Sequence, residues 1–184
     1  RNNSLAADQG QVDWQRLREA GVRLFRENGG NNATKYNWRR KLTSHPDWYN
    51  NVYAQDWDAK ARMLQQQIPG GQMVWAFQLI GKAAATGAAN FDDWGYNRSQ
   101  WWEGVRNNWA GGGGPMRGEG DPARYLTDWP PDSTVAILDH WFGAGGLDPD
   151  GLRYWNMDNE PEIWNGTHDD VMPAQLAAEA FMQR

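Results

Sequence analysis

Gln72-Met73-Val74-Trp75-Ala76-Phe77-Gln78-Leu79-Ile80-Gly81 is the stretch on which the fold turns. It is a near-continuous apolar run of strand length, and a strand without polar alternation has to be covered on both faces, as in a parallel sheet. Just upstream, Pro69-Gly70-Gly71 ends a helix that starts at Asp56 or Asp58 and runs through Met63 and Leu64. Before it, Val22 to Asn28 alternates: Val22, Leu24, Arg26 and Asn28 share one face, Arg23, Phe25 and Glu27 the other. Asn28-Gly29-Gly30-Asn31-Asn32 breaks that strand sharply, and a helix over Val12 to Ala20 precedes it, stopped by Gly21. Downstream, Asp121-Pro122 and Ser133-Thr134 are helix starts, the second with Val135, Leu138, Trp141 and Phe142 as its apolar face. Gly143 to Gly151 is a turn, and Leu152 to Asn159 a third strand ended by Pro161. Met172 to Arg184 reads as a last helix, with Pro173 in its first turn and no glycine to cap its end.

Helices alternating with strands signal βαβ units and a parallel sheet. Three strands cannot close a barrel, and an eight-stranded (β/α) barrel takes ~250 residues. The loops after the first two strands are far longer than usual βα connections, and such loops carry the sites of α/β proteins. The expected fold class is therefore α/β, as part of a barrel, with residues 1–184 one piece of a single domain.

Composition narrows the chemistry. The 184 residues carry 18 basic and 23 acidic side chains, a net charge of −5 without a basic cluster, which argues against nucleic acid or an anionic membrane surface. No apolar run reaches the ~18 residues of a membrane span. Cysteine is absent, which excludes disulfides, thiolate nucleophiles and Cys-ligated zinc. His45, His140 and His168 are scattered without metal-site spacing, so catalytic zinc is not expected. Asp47, Asp148 and Asp150 are at most weak ligands for a structural Ca²⁺, and solvated turn carboxylates explain them better. No cationic segment followed by an apolar one opens the chain, so no secretory signal is read in these residues.

The third strand carries the sharpest chemical signal, Tyr154-Trp155-Asn156-Met157-Asp158-Asn159-Glu160-Pro161-Glu162. By a period of two, Tyr154, Asn156, Asp158 and Glu160 point one way, with Trp155 and Met157 toward the helices. Glu160 falls at the carboxyl end, where surrounding Trp would partly desolvate it, raise its pKa and suit it to general-acid work. The alternative is that Asp158 and Glu160 cap the loop as acceptors. Arg26 ends its strand on the inward face, where a guanidinium could hold a carboxylate in bidentate fashion. Gly29-Gly30-Asn31 would let backbone approach a sugar closely. Flat aromatic rings suit the apolar faces of glucans, and of the 13 Trp, Trp38, Trp48, Trp57, Trp94, Trp101, Trp102, Trp109 and Trp164 fall in loops or at loop edges. Trp164, next to Glu160, is the best single candidate for a platform or cleft wall; Trp14, Trp75, Trp141 and Trp155 are expected in the core.

The stretches VRLFRENGGNNATKYNW (22–38), WAFQLIGKAA (75–84), GDPARYLTDW (120–129) and RYWNMDNEPEIWNGTHDD (153–170) together resemble glycoside hydrolase family 44. The resemblance implies a (β/α)8 barrel with an added β-sandwich, of which this chain holds about strands two to four, truncated at both ends. It implies a retaining endo-β-1,4-glucanase or xyloglucanase acting on β-glucan polysaccharide outside the cell, monomeric when full length and requiring no cofactor. Glu160 would be the acid/base, Asn159 would touch the sugar, and Asn31, Tyr36, Trp38 and Trp164 would line the substrate. Arg26 would hold the nucleophile, a Glu ending the seventh strand and therefore outside this chain, so the 184 residues alone are expected to be inert. The competing readings are a non-catalytic carbohydrate-binding protein with a Trp-lined cleft, and a mannan- or xylan-cleaving relative. His168-Asp169-Asp170 reads as helix-entry capping.

Overall fold

The structure, a computed structural model, describes residues 12–26, 29–44, 56–86, 121–168 and 170–183. Three strands make a parallel sheet in sequence order, β1 (Leu24–Arg26), β2 (Gln72–Phe77) and β5 (Tyr154–Met157), with Leu24 opposite Gln72 and Val74 opposite Tyr154. The apolar run at 72 does form the central strand. No closed sheet occurs among the described residues.

Helix α1 (Trp14–Glu19) is capped by Asp13, whose carboxylate accepts from the Arg16 N–H at 2.9 Å. A two-residue segment (Gly29, Gly30) leads to the short α2 (Asn31–Thr34). Asp56 caps α3 (Trp57–Gln67) in the same way through the Ala59 N–H. Helix α4 (Pro131–Phe142) begins two residues ahead of Ser133, because Pro131 at its first position needs no hydrogen-bonded N–H. Its buried face is Thr134, Ile137 and Trp141, three and four residues apart; Val135 and Phe142 lie about 100° further round and are exposed.

The helix-facing side of the sheet is closed by an aromatic spine. Tyr36 stacks on Trp57 with centroids 3.9 Å apart, Trp57 meets Trp75 at 5.4 Å, Trp75 meets Trp141 edge-on at 4.9 Å, and Trp141 meets Trp155 at 5.9 Å. Truncating a fully buried ring such as Trp75 costs about 3–5 kcal/mol. On the opposite face Leu24 is 59% and Tyr154 52% exposed, while Ala76 is buried.

Three sequence expectations are corrected. Strand β2 stops at Phe77; Gly81, at φ 82°, turns the chain into β3 (Lys82–Ala84), which pairs antiparallel with β4 (Leu126–Asp128). At Asp121-Pro122 the capped turn forms, with the Ala123 N–H on the Asp121 carboxylate, but only as one 3₁₀ turn. The end of the chain holds α5 (Trp164–Thr167) and α6 (Ala178–Phe181), so most of the expected helix from Met172 is not helical. Among the described residues no helix is long and apolar enough to cross a membrane.

Candidate active site

The site grows from the way β5 ends. After Met157 the pleat is broken by two non-glycine residues in the left-handed region, Asp158 at φ 58° and Glu160 at φ 45°, so the period of two does not extend to Glu160. Each such residue costs roughly 1–2 kcal/mol that its surroundings must offset.

Asp158 supplies the offset. Its backbone N–H still bonds the Phe77 carbonyl at 2.8 Å, the last rung of the β2–β5 ladder. Its carboxylate turns inward, 5% exposed, and accepts from the Thr34 hydroxyl at 2.7 Å, the Leu79 N–H at 2.7 Å and the Asn159 N–H at 2.8 Å. One side chain therefore ties together the segments that leave β1, β2 and β5. Burial pushes this carboxyl up to about 6, against the opposing pull of the same hydrogen bonds.

Asn159 is buried beside it and reaches across the sheet: its Oδ1 accepts from the Gly30 N–H at 2.7 Å, and its Nδ2 donates to Glu160 Oε2 at 3.2 Å. Gly30 sits at φ 79°, a conformation that glycine favours, while Gly29 packs close against the end of the exposed Arg26 side chain. Glu160 is exposed, and Pro161 starts a 3₁₀ turn whose Ile163 N–H returns to the Glu160 carbonyl at 3.1 Å. The carboxyl ends of β1 and β5 thus carry Arg26, Gly29, Gly30, Asn31, Asn159 and Glu160 in one neighbourhood, with Glu160 the carboxylate facing solvent.

Residues 42–184 match the sequence pattern of glycoside hydrolase family 44. The chain belongs to that family. Among solved structures, this family 44 chain is similar to CelM2, a bifunctional glucanase-xylanase protein from a metagenome library, at 25% identity and TM-score 0.61, over 91% of this chain and 35% of that one. It is also similar in fold to Cel44A, a family 44 endoglucanase from Clostridium thermocellum, at 20% identity and TM-score 0.51, over 86% and 33%. The chain spans about a third of the length of these structures. Comparison with curated protein sequences finds no match.

Several residues expected to line the substrate do other work in the family 44 chain. Trp164 is fully buried and donates its Nε1–H to the Asn159 carbonyl at 2.9 Å, so it props the site from behind and is neither platform nor wall. Tyr36, equally buried, accepts the Trp57 N–H at its hydroxyl (3.2 Å), and burial pushes its phenol far above the ordinary range. Trp38 is half-buried against α4, with its Nε1–H on the Ser133 carbonyl at 2.8 Å and its ring 5.2 Å from that of His140. Trp57, expected at a loop edge, is in the core. Asn31 stays beside the site, but buried. Arg26 is exposed at the end of β1 and has no ion pair among the described residues. Glu160 is exposed, and the acid that burial desolvates next to it is Asp158. Trp48, Trp94, Trp101, Trp102, Trp109 and Asp47 lie outside the described residues.

Asp148, Asp150 and Asp170 have structural partners. Asp148 caps a 3₁₀ turn through the Asp150 N–H at 2.9 Å, and Asp150 pairs with Arg153 at 2.5 Å. Among the described residues no three His or acidic side chains converge as metal ligands. Asp170, expected to cap a helix entry, is buried against the fully buried Lys35 at 2.5 Å and accepts from the Tyr125 hydroxyl at 2.8 Å. Sequence reasoning missed this pair and the Thr34–Asp158 contact. The local hint was a mostly polar run, Asn31-Asn32-Ala33-Thr34-Lys35, shortly after a strand end.

Proposed function

We propose that the protein containing this chain is a retaining endo-β-1,4-glucanase or xyloglucanase. In this reading β1, β2 and β5 are strands two to four of a (β/α)8 barrel, and Glu160 is the general acid/base. The observation that carries it is a solvent-facing carboxylate held in a fixed left-handed turn at the carboxyl end of a parallel strand, the end at which barrel enzymes build their sites. Glu160 protonates the departing glycosidic oxygen while a carboxylate from a later strand, beyond residue 184, attacks C1. Glu160 then deprotonates the water that releases the glycosyl-enzyme. This pairing needs two carboxyl groups ~5–5.5 Å apart. Arg26, exposed and without an ion pair among the described residues, is suited to hold the second one.

Asn159 is placed to donate to a sugar hydroxyl through the amide that now rests on Glu160, and Gly29–Gly30 to admit the chain closely. The substrate is a soluble β-1,4-glucan, met outside the cell because a polymer of that size must be cut before uptake. The catalysis needs no cofactor, and the full-length protein is read as a monomer. The non-catalytic binding alternative loses ground because Trp164 and Trp57, two of its cleft walls, are buried.

The test is Glu160→Gln in the full-length protein, assayed on carboxymethyl cellulose, xyloglucan, xylan and mannan; the bifunctional activity named for CelM2 makes xylan a necessary arm. Turnover on the preferred polymer falls by about 10²–10⁴. Undiminished turnover removes Glu160 from the acid/base role.

A further inference from the structure

The geometry points to Asp158 as a positioning residue for Glu160: its buried carboxylate, fixed to the segments leaving β1 and β2, holds the left-handed backbone that presents the neighbouring acid to solvent. This rests on the reading of Glu160 as acid/base and adds to it a residue that never touches substrate.

Three observations carry the argument. First, two left-handed non-glycine residues within three positions do not persist without an external hold, and Asp158 is the residue through which that turn is tied to both other strands. Second, the carboxylate spends its acceptor capacity on three donors from three separate segments, Thr34, Leu79 and Asn159. An amide in its place would turn one N–H donor against another, since Asn offers a single acceptor oxygen. Third, the hold continues outward: the Asn159 N–H that Asp158 fixes belongs to the residue whose side chain binds the Gly30 N–H on one side and Glu160 on the other. A displaced Asp158 therefore moves both the aim of Glu160 and the Gly29–Gly30 wall. Thr34 is the contact easiest to remove alone, because valine keeps its shape and deletes only the hydroxyl.

The experiment uses the full-length protein with Asp158→Asn and Thr34→Val, and compares kcat/KM on a soluble β-1,4-glucan with kcat/KM on an aryl β-cello-oligosaccharide bearing a dinitrophenolate leaving group. That leaving group departs without protonation, so the aryl substrate reports the site with the acid's help made unnecessary. If Asp158 aims Glu160, Asp158→Asn loses about 10–100-fold on the glucan and less than about threefold on the aryl substrate, and Thr34→Val shows a smaller loss with the same selectivity. An equal loss on both substrates, or no loss, overturns the inference and leaves Asp158 a structural residue. If Asp158→Asn does not fold, Thr34→Val alone decides by the same criterion. Glu160→Gln in parallel separates the two levels. If it keeps full glucan turnover, the acid/base reading fails; if it is inactive on glucan while Asp158→Asn and Thr34→Val match the parent, only the positioning role fails.

Discussion

The two ends of the parallel sheet are tied by opposite means. At the amino end, Gln65 of α3 grips Asp148 twice, its Nε2 donating to the carbonyl at 2.7 Å and its Oε1 accepting the N–H at 3.0 Å, and Gln72 donates to the Asp150 carbonyl. These are neutral amides beside an open groove, with Asp150 and Arg153 paired in solvent. At the carboxyl end the same task falls to buried charge and bent backbone: Asp158 beneath the turn, and Lys35 against Asp170 just beyond it. Neutral ties are cheap to keep and forgiving to lose. Buried ionic ties fix geometry more narrowly, and losing half of one leaves a charge stranded away from water. Stability is spread over one end, and positional accuracy is concentrated at the other, where the candidate acid stands.

The comparison can be broken at Lys35. Lys35→Met deletes one buried charge and leaves Asp170 with only its neutral partners; unfolding free energy should drop by about 3–5 kcal/mol, read from urea denaturation of the full-length protein. A drop below ~1 kcal/mol would place this pair with exposed ones such as Lys82–Asp128 and erase the contrast.

A pH measurement sharpens it. Asp158 sits near 6 when folded against about 3.9 in the unfolded chain, so between those values the folded state holds a proton that the unfolded state has shed. Its contribution therefore grows as pH falls through 6 and levels off near 4. From pH 7 to 5 the parent should gain about 1 kcal/mol relative to Asp158→Asn, which has no such proton to bind. A parallel pH course for the two proteins would show that Asp158 titrates as an ordinary carboxyl.

The smallest effect belongs to the amino end. Gln65→Ala should cost roughly 0.5–1.5 kcal/mol and leave kcat/KM on glucan unchanged, since its bonds are solvent-accessible and remote from Glu160. A change in kcat/KM would mean that the two ends are coupled.

Much of this architecture is legible from residue order. The apolar run at Gln72, the alternation at Leu24–Arg26 and the helix start at Asp56 are local signals, and each formed where its chemistry predicted. The extension of β2 through Ile80 was misread because Leu79 and Ile80 are as apolar as the strand before them, yet they turn away to cover Trp164. The location of Glu160 was legible in Asn159-Glu160-Pro161, but the state of the site was not. The partners of Asp158 lie 124 and 79 residues away in the chain, and Lys35 and Asp170 are 135 apart. Loop aromatics were misassigned for a related reason: a long connection needs its own packed centre, and Trp164 and Tyr36 supply it.

The left-handed backbone at Glu160 has an evolutionary consequence. The position favours glycine or asparagine on conformational grounds, so glutamate there runs against a local thermodynamic preference. On the proposed acid/base role of Glu160, a duplicated gene released from selection for that role would be free to drift toward glycine at 160, gaining robustness as it loses chemistry. On that reading, the identity of this one amino acid in a paralogue distinguishes a working copy from a retired one.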